Sequence, residues 1–501
     1  MDMIRAMQEP LENRLFHLLR IENIRNQSLA VEMFVDALAM ISKVGKISHV
    51  KELVERVDST ALKLLKQLPN NYLEFLNEIV VDRREEIEEA DIYQDQIKVQ
   101  RLINPSSRKK LAAYFTKPVA LKFMEAVTCE YANSCSSPIT LCDPFLGSGL
   151  TLTAALKELN PSQVQGVWGI EPHPLSALIA YAALLNALKG DFSKVDVRID
   201  DAFVVAYASL FPMFNYDQGK IVKLFKANVI LTNPPFTRWE LLNKEYRSFL
   251  RKFVGDLGYS KYISRFQLNL QLVALFLMDH ILEEGGLLAS VLPASTFYTI
   301  YGEAAKQLLR EKYHINAIVE YDLEPSFSID SGFKELILVA EKGLAGAETA
   351  FVTLDGSQED QIDRFRYIFN GMKLSENYIN WVNMRRLSKL WEMNWLVLFG
   401  HNELREILTD LLSKTINNGT VSKWIDCIGK KRIVRGVEMY GPEFFFVPNK
   451  YWSIINANEE TVTLEDRNGE QLKVSKEFLI SALRKPELYT DNIEPQVDHY
   501  F

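Results

Sequence analysis

The chain has 501 residues, 48% of them hydrophobic and 24% charged, with a formal net charge of −8. That length allows two to four domains and a large buried core. The charge excludes indiscriminate coating of nucleic acid but leaves room for a local basic cleft. No run of about 18 apolar residues appears, so no transmembrane helix is expected. The charged opening stretch MDMIRAMQEPLENRLFHLLR lacks a signal-peptide core, and a cytoplasmic location follows by default. Cys129, Cys135, Cys142 and Cys427 form no CxxC pair. This argues against zinc ribbons and disulfide frameworks and favours a buried, reduced thiol at each position. No His/Cys/acid ligand cluster is visible, so no metal is expected.

Residues 1–100 read as a helical region, with apolar residues at helical spacing in LAVEMFVDALAMI and ALKLLKQL. The acidic run Arg83 to Asp91 (RREEIEEAD) reads as a solvated helix face. From about 138 short apolar runs alternate with helical segments. ITLCD, VQGVWGIE, VDVRI, ANVILT, LLASVLP, NAIVEYD and ELILVAEKG are seven strand candidates. Helices such as LTAALKEL, PLSALIAYAALLNAL, QLNLQLVALFLMDHILEE and EAAKQLLREKY lie between several of them. The expected fold is α/β: a doubly wound, mostly parallel sheet of seven strands with an antiparallel last pair. After about 345 the pattern weakens, and VTLEDRNGEQLKV reads as a hairpin turning at Asn468-Gly469. IVRGVEMYGPEFFFV has β character. Residues 346–501 are therefore expected to form a mixed or β-rich domain.

Asp143-Pro-Phe-Leu-Gly-Ser-Gly149 follows the strand ITLCD and precedes a helix, where a doubly wound sheet binds a nucleotide-like ligand. Gly147 and Gly149 let the backbone approach that ligand, and Asp143 can accept from an ammonium group. No Lys-Ser/Thr follows, so the loop is not a phosphate-binding P-loop. The next strand ends at Glu171, about 20 residues on, where an acid can take ribose hydroxyls. The third ends in Asp200-Asp201-Ala-Phe203, a carboxylate for an adenine amine and a ring beside it. Each acid alone reads equally as a helix cap; at three consecutive strand ends they describe an adenosine-shaped ligand. Without a phosphate-gripping Lys or Arg, S-adenosylmethionine fits better than a dinucleotide.

The fourth strand, ANVILT, runs into Asn233-Pro234-Pro235-Phe236. Two prolines fix φ and remove two backbone donors. The Asn233 side-chain oxygen and the Pro234 carbonyl can then converge on one planar amine and free its lone pair for attack on a methyl group. Phe236 offers a ring to stack on the base carrying that amine.

Together, Asp-Pro-Phe-x-Gly-Ser-Gly and Asn-Pro-Pro-Phe resemble the amino-methyltransferases of DNA. The upstream Arg108-Lys-Lys-Leu-Ala-Ala-Tyr-Phe-Thr116-Lys-Pro118 is similar to their Gly-x-Tyr-Phe-Thr-Pro segment, which contacts the methionine end of the cofactor. It stands before the glycine loop and the catalytic turn, an order that resembles the gamma class of adenine-N6 enzymes of restriction–modification type. The likeness spans roughly residues 105–345, within an expected methyltransferase domain at 101–345. It departs at Ala112 or Ala113, where the family often has Gly, and at Lys117, which separates Thr from Pro.

The resemblance implies Asn233, Pro234, Pro235 and Phe236 as the catalytic turn. It implies Thr116, Asp143, Phe145, Gly147, Gly149, Glu171, Asp201 and Phe203 as contacts of S-adenosylmethionine. Phe327, with Phe333 as a competing choice, stands where the family places an aromatic on the other face of the target base. Arg238 and Arg247 lie in a basic, aromatic-containing stretch after the turn, which also holds Trp239, Lys244, Arg251, Lys252, Lys261 and Arg265. Lys431 and Arg435 lie in a second basic cluster; both clusters suit DNA phosphates. The implied partners are double-stranded DNA, read through residues 346–501, and restriction or defence-system subunits, with no membrane. N4-cytosine, RNA or protein-glutamine methylation, and a catalytically silent DNA-binding subunit, are the alternatives. No Pro-Asp…Glu-x-Lys nuclease pattern is found in residues 1–100.

Overall fold

The computed structural model describes residues 15–21, 24, 26–56, 59–102, 115–210, 226–237, 239–263, 268–329, 331–343, 348–354, 358–369, 372–374, 376, 378–387, 391–392, 394–400, 402–417, 446–449, 451–479, 481–482 and 499–500. They fall into two compact units, Met1–Asp410 and Leu411–Phe501.

The first unit is built on a sheet in the order β11-β10-β7-β9-β6-β5-β2-β3-β4. Its strands are β2 (Ile139–Asp143), β3 (Val164–Ile170), β4 (Val195–Arg198), β5 (Ala227–Thr232), β6 (Leu282–Pro293), β7 (Tyr313–Tyr321), β9 (Glu335–Lys342), β10 (Glu348–Leu354) and β11 (Ile379–Asn383). β1 (Phe115–Thr116) and β8 (Ser328–Ile329) pair with each other outside it. The strands are apolar on both sides because both faces are covered. In β5, Val229 and Leu231 enter one core while Ile230 enters the other, and β6 alternates likewise.

The expected doubly wound sheet is present, and its antiparallel member is β9, inserted between β6 and β7. Two strands were not anticipated. β10 runs parallel to β7 and β11 antiparallel to β10, so the sheet has nine strands and extends past residue 345. Their apolar residues, such as Ala350, Phe351 and Val352, are buried in the same cores as the rest. The order reverses between the parallel neighbours β2 and β5. Ligands of such sheets bind in the crevice at the carboxyl ends of the strands flanking that switch point. The loops after Asp143 and Thr232 lie there.

Helices α1 (Gln27–Gly45), α2 (Asn70–Glu86) and α3 (Glu89–Leu102) come from the expected helical region. Asn26 caps α1 by accepting the Leu29 N–H at 3.1 Å. The apolar residues of these helices join the core on one face of the sheet. Ser59 and Thr60 seal the edge strand β4. The Ser59 Oγ donates to the Val197 carbonyl at 2.9 Å, and the Ile199 N–H donates to the Thr60 Oγ1 at 2.8 Å. ALKLLKQL divides into a short helix, Thr60–Lys63, and a 3-10 turn, Leu64–Gln67.

The acidic run at Arg83 is not one solvated helix face. α2 ends at Glu86, Ile87 is buried, and Arg83 pairs with Asp36 at 2.6 Å and with Asp91 at 3.2 Å. Of the cysteines described, Cys142 is buried, whereas Cys129 and Cys135 are half-buried. Among the described residues, no helix is long and apolar enough to cross a membrane.

In the second unit β12 (Trp452–Ala457), β13 (Thr461–Asp466) and β14 (Gln471–Ser475) form an antiparallel meander. The hairpin turns at Asn468-Gly469 as expected, with Gly469 at φ 83°. Val462 and Leu464 face a small core with Val447 and Tyr500. Most of IVRGVEMYGPEFFFV lies outside the described residues.

Candidate active site

Asp143 closes β2 and is 1% exposed. One carboxylate oxygen accepts the Phe145 N–H at 2.9 Å and the other the Thr151 hydroxyl at 2.6 Å. Burial pushes its carboxyl up to about 6, against the lowering effect of these donors. The chain turns through Gly147 (φ 56°) and Gly149 (φ 83°) into α5 (Leu150–Glu158), which follows α4 (Pro118–Ser134). A Cβ on Gly149 would lie 3.0 Å from the Cβ of Ala180 on α6 (Pro174–Ala187). That glycine therefore serves close packing of loop on helix as well as the left-handed turn.

Glu171 stands one residue beyond β3. It accepts the Gly147 N–H at 3.0 Å and the His173 N–H at 2.8 Å, tying the second strand's loop to the glycine turn. Burial raises its carboxyl to about 7. Asp201 opens α7 (Ala202–Leu210). One of its oxygens caps that helix, accepting from the Phe203 and Val204 N–H groups at 2.8 and 3.2 Å. The other accepts the Tyr246 hydroxyl at 2.6 Å, from α8 (Lys244–Asp256). Phe203 is buried, its ring 5.5 Å from that of Phe145.

The turn after β5 is arranged differently. The Asn233 Nδ2 donates to the Ser328 Oγ at 2.9 Å and, more weakly, to the Thr116 Oγ1 at 3.3 Å. Thr116 and Ser328 are themselves partners across the β1–β8 pair. With both amide hydrogens used, the orientation of the amide is fixed. The Asn233 Oδ1 is buried and accepts no hydrogen bond from any described residue. Buried polar atoms are nearly always paired, and this acceptor lies beside the Pro234–Phe236 turn at the carboxyl end of β5.

Pro234 is buried and Pro235 half-buried, and Phe236 is 9% exposed. The Phe236 ring meets Phe333 edge-on at 6.3 Å. Both line an open cavity of about 330 Å³ together with Trp239, Gln271, Pro293 and Tyr301.

Phe327 does not belong to this site. It is fully buried and stacked on Tyr321 at 6.2 Å, and its carbonyl accepts the Lys117 N–H at 2.7 Å. The β1–β8 pairing draws the chain at 327 inward. Phe333, 41% exposed, is the aromatic that faces Phe236.

Lys117 opens α4. Its ammonium pairs with Glu324 and donates to the Ser326 carbonyl at 2.8 Å. The extra residue between Thr and Pro is thereby tied to the β8 segment that orients Asn233.

Of the basic residues, Arg238, Arg265, Lys430, Lys431, Arg432 and Arg435 lie outside the described residues, as do Arg108 to Tyr114. Arg247 is half-buried on α8. Arg251 lies over the Trp239 ring at 5.6 Å and Lys252 over Tyr207 at 5.3 Å, so part of this stretch packs on aromatic faces. Thr151, Ser328 and Tyr246 escaped the sequence reading. A lone Ser, Thr or Tyr far along the chain from its partner carries no motif.

The core strands β4-β3-β2-β5-β6-β9-β7, with β9 reversed and the site over β2 and β5, define an S-adenosylmethionine-dependent methyltransferase fold. Within that fold, residues 168–327 match the family described as Eco57I restriction-modification methylase.

The fold is similar to that of the type IIG restriction endonuclease BpuSI, with a TM-score of 0.53 at 13% identity over 89% of this chain and 52% of that one. It is also similar to the DrdV protein of a DrdV–DNA complex, with a TM-score of 0.50 at 12% identity over 79% of this chain and 44% of that one. The chain thus spans about half the length of these two proteins. No curated protein matches it.

Proposed function

We propose that this chain transfers the methyl group of S-adenosylmethionine to the N6 amine of adenine in double-stranded DNA, as the modification activity of a restriction or defence system. The observation that carries this reading is the buried, unpartnered Oδ1 of Asn233, held in place by Ser328 and Thr116 beside the Pro234–Phe236 turn.

The residues present suit the cofactor. Glu171 and Asp201 stand at the ends of β3 and β4, with Phe145 and Phe203 beside the second acid. Glu171 would take the ribose hydroxyls and Asp201 the adenine amine, and Asp143 and Thr116 would take the amino-acid end. The cofactor supplies an electrophilic sulfonium methyl.

Everything else falls to the chain. An adenine flipped out of the duplex, at a cost of a few kcal/mol, stacks against Phe236 with Phe333 alongside. Its amine donates one hydrogen to the Asn233 Oδ1 and one to the Pro234 carbonyl. Held this way, the nitrogen lone pair would turn out of the ring plane toward the methyl that the bound cofactor would supply, the sulfur keeping the electron pair of the bond it gives up. The amine would turn acidic as the new bond forms and pass its proton to water, so no strong base is required. Positioning supplies much of the acceleration.

Arg247 and its basic neighbours are assigned to phosphate contact, and target recognition to the residues C-terminal to the sheet, within 346–501. Cytosine N4 presents the same amine geometry to this turn and is the second reading. Asn233→Ala tests the assignment: methyl transfer is expected to vanish while calorimetric cofactor binding persists. Retained turnover would refute it.

A further inference from the structure

Gln96 belongs to α3, in the helical region that precedes the methyltransferase core, and is 1% exposed. Its side-chain amide spends both hydrogens on the core. One goes to the Ser148 carbonyl at 2.8 Å and the other to the Thr153 Oγ1 at 3.0 Å. The bond is returned: the Ser148 hydroxyl donates to the Gln96 backbone carbonyl at 2.7 Å.

Ser148 is the centre of the glycine turn, with left-handed Gly147 and Gly149 on either side. Glycines have little intrinsic preference among backbone conformations, so the contacts around them, those at Ser148 included, select the one adopted. What depends on that choice is direct. The Gly147 N–H meets Glu171, and α5 carries both Thr153 and the Thr151 that holds Asp143. One buried amide therefore joins α3, the turn and α5.

We infer that Gln96 is a positioning residue for cofactor binding, which makes the N-terminal helices part of the cofactor site. The inference rests on the proposed reading of the glycine turn as that site. Gln96 touches no reacting atom; it acts through Ser148.

The test compares affinity for S-adenosylmethionine by calorimetry in the full-length wild type and in Gln96→Met, which keeps length and bulk but donates nothing. Losing both donated bonds at a binding turn is expected to weaken cofactor affinity by roughly tenfold or more. DNA affinity without cofactor should stay within about twofold, and the effect on methylation should fall on the cofactor KM rather than on kcat. Wild-type cofactor affinity in Gln96→Met would reduce the residue to space filling and overturn the inference. So would a loss of cofactor and DNA binding together with an early melt.

If the methionine variant does not fold, Ser148→Ala removes the returned bond and leaves both bonds donated by Gln96. A several-fold loss of cofactor affinity, on the order of one hydrogen bond, supports the inference, and wild-type affinity overturns it. A wild-type chain that binds no S-adenosylmethionine strikes instead at the reading of the turn itself, an outcome distinct from either variant's behaviour.

Discussion

Acceptors at the ends of β2, β3 and β4 are already hydrogen-bonded within the protein, whereas the one at the end of β5 is not. Asp143, Glu171 and Asp201 each accept two or more bonds from neighbouring backbone or side-chain donors. The Asn233 amide is held by its nitrogen alone, and its oxygen waits. The first three are braced against their own burial, with lone pairs left over for those parts of a ligand that take no part in bond making. The fourth is kept unsatisfied, at the expense of an unmade hydrogen bond. On the proposed reading it meets a group whose electronic state must change on contact, and such preorganised polar atoms need no rearrangement during a reaction.

The largest expected effect breaks that contrast at its sharp end. Asn233→Ala should lower kcat for methyl transfer by about 10³-fold or more, the loss usual for a preorganised polar group. Cofactor affinity should change little, as read by single-turnover label transfer and calorimetry.

Next come the two phenylalanines. Phe327→Ala should cost about 3–5 kcal/mol of stability, as a core aromatic does. Phe333→Ala should leave Tm nearly unchanged and lower kcat/KM by roughly ten- to a hundredfold if it stacks on the flipped base. Parallel melts and steady-state assays separate the two. Ser328→Ala is smaller: the amide loses its better anchor, and kcat should fall about tenfold, one hydrogen bond's worth, with cofactor affinity unchanged.

Glu171 sharpens the other side of the comparison through pH. Its carboxyl is raised to about 7 in the folded chain from an ordinary 4.5. The folded state therefore holds the proton longer than the unfolded state, and this group's contribution makes stability fall as pH rises from about 4.5 to 7. Ribose hydroxyls prefer the ionised acceptor, so cofactor affinity should run the other way and weaken as pH falls below about 7. Glu171→Gln should flatten both slopes and weaken the cofactor at pH 8, and Tm should fall at every pH because either the Gly147 or the His173 N–H loses its acceptor. Calorimetry and melts across that range check each sign. The smallest effect belongs to Lys117→Ala. Its ion pair with Glu324 is partly exposed and should contribute at most about 1 kcal/mol.

Much of this site could be read from the chain because its chemistry is carried by contiguous turns. Asp143 to Gly149 and Asn233 to Phe236 each sit at the end of an apolar strand, where composition and position agree. What stayed hidden depends on pairing across the sequence. Phe327 and Phe333 are equivalent on paper, and only the pairing of β8 with β1 sends one into the core and leaves the other beside Phe236. Ser328 and Gln96 act on residues 95 and 52 positions away, with no local pattern to announce them. β10 and β11 were missed because the expected seven-strand pattern was complete without them. Two edge strands added after it look, in sequence, like the start of another domain.

The most direct test of the central claim is tritium transfer from labelled S-adenosylmethionine to unmethylated bacterial DNA, followed by nucleoside analysis. Label recovered in N6-methyladenine is the predicted result. Label in N4-methylcytosine would contradict the assigned base. Label absent from DNA but present in a protein glutamine would contradict the assigned substrate.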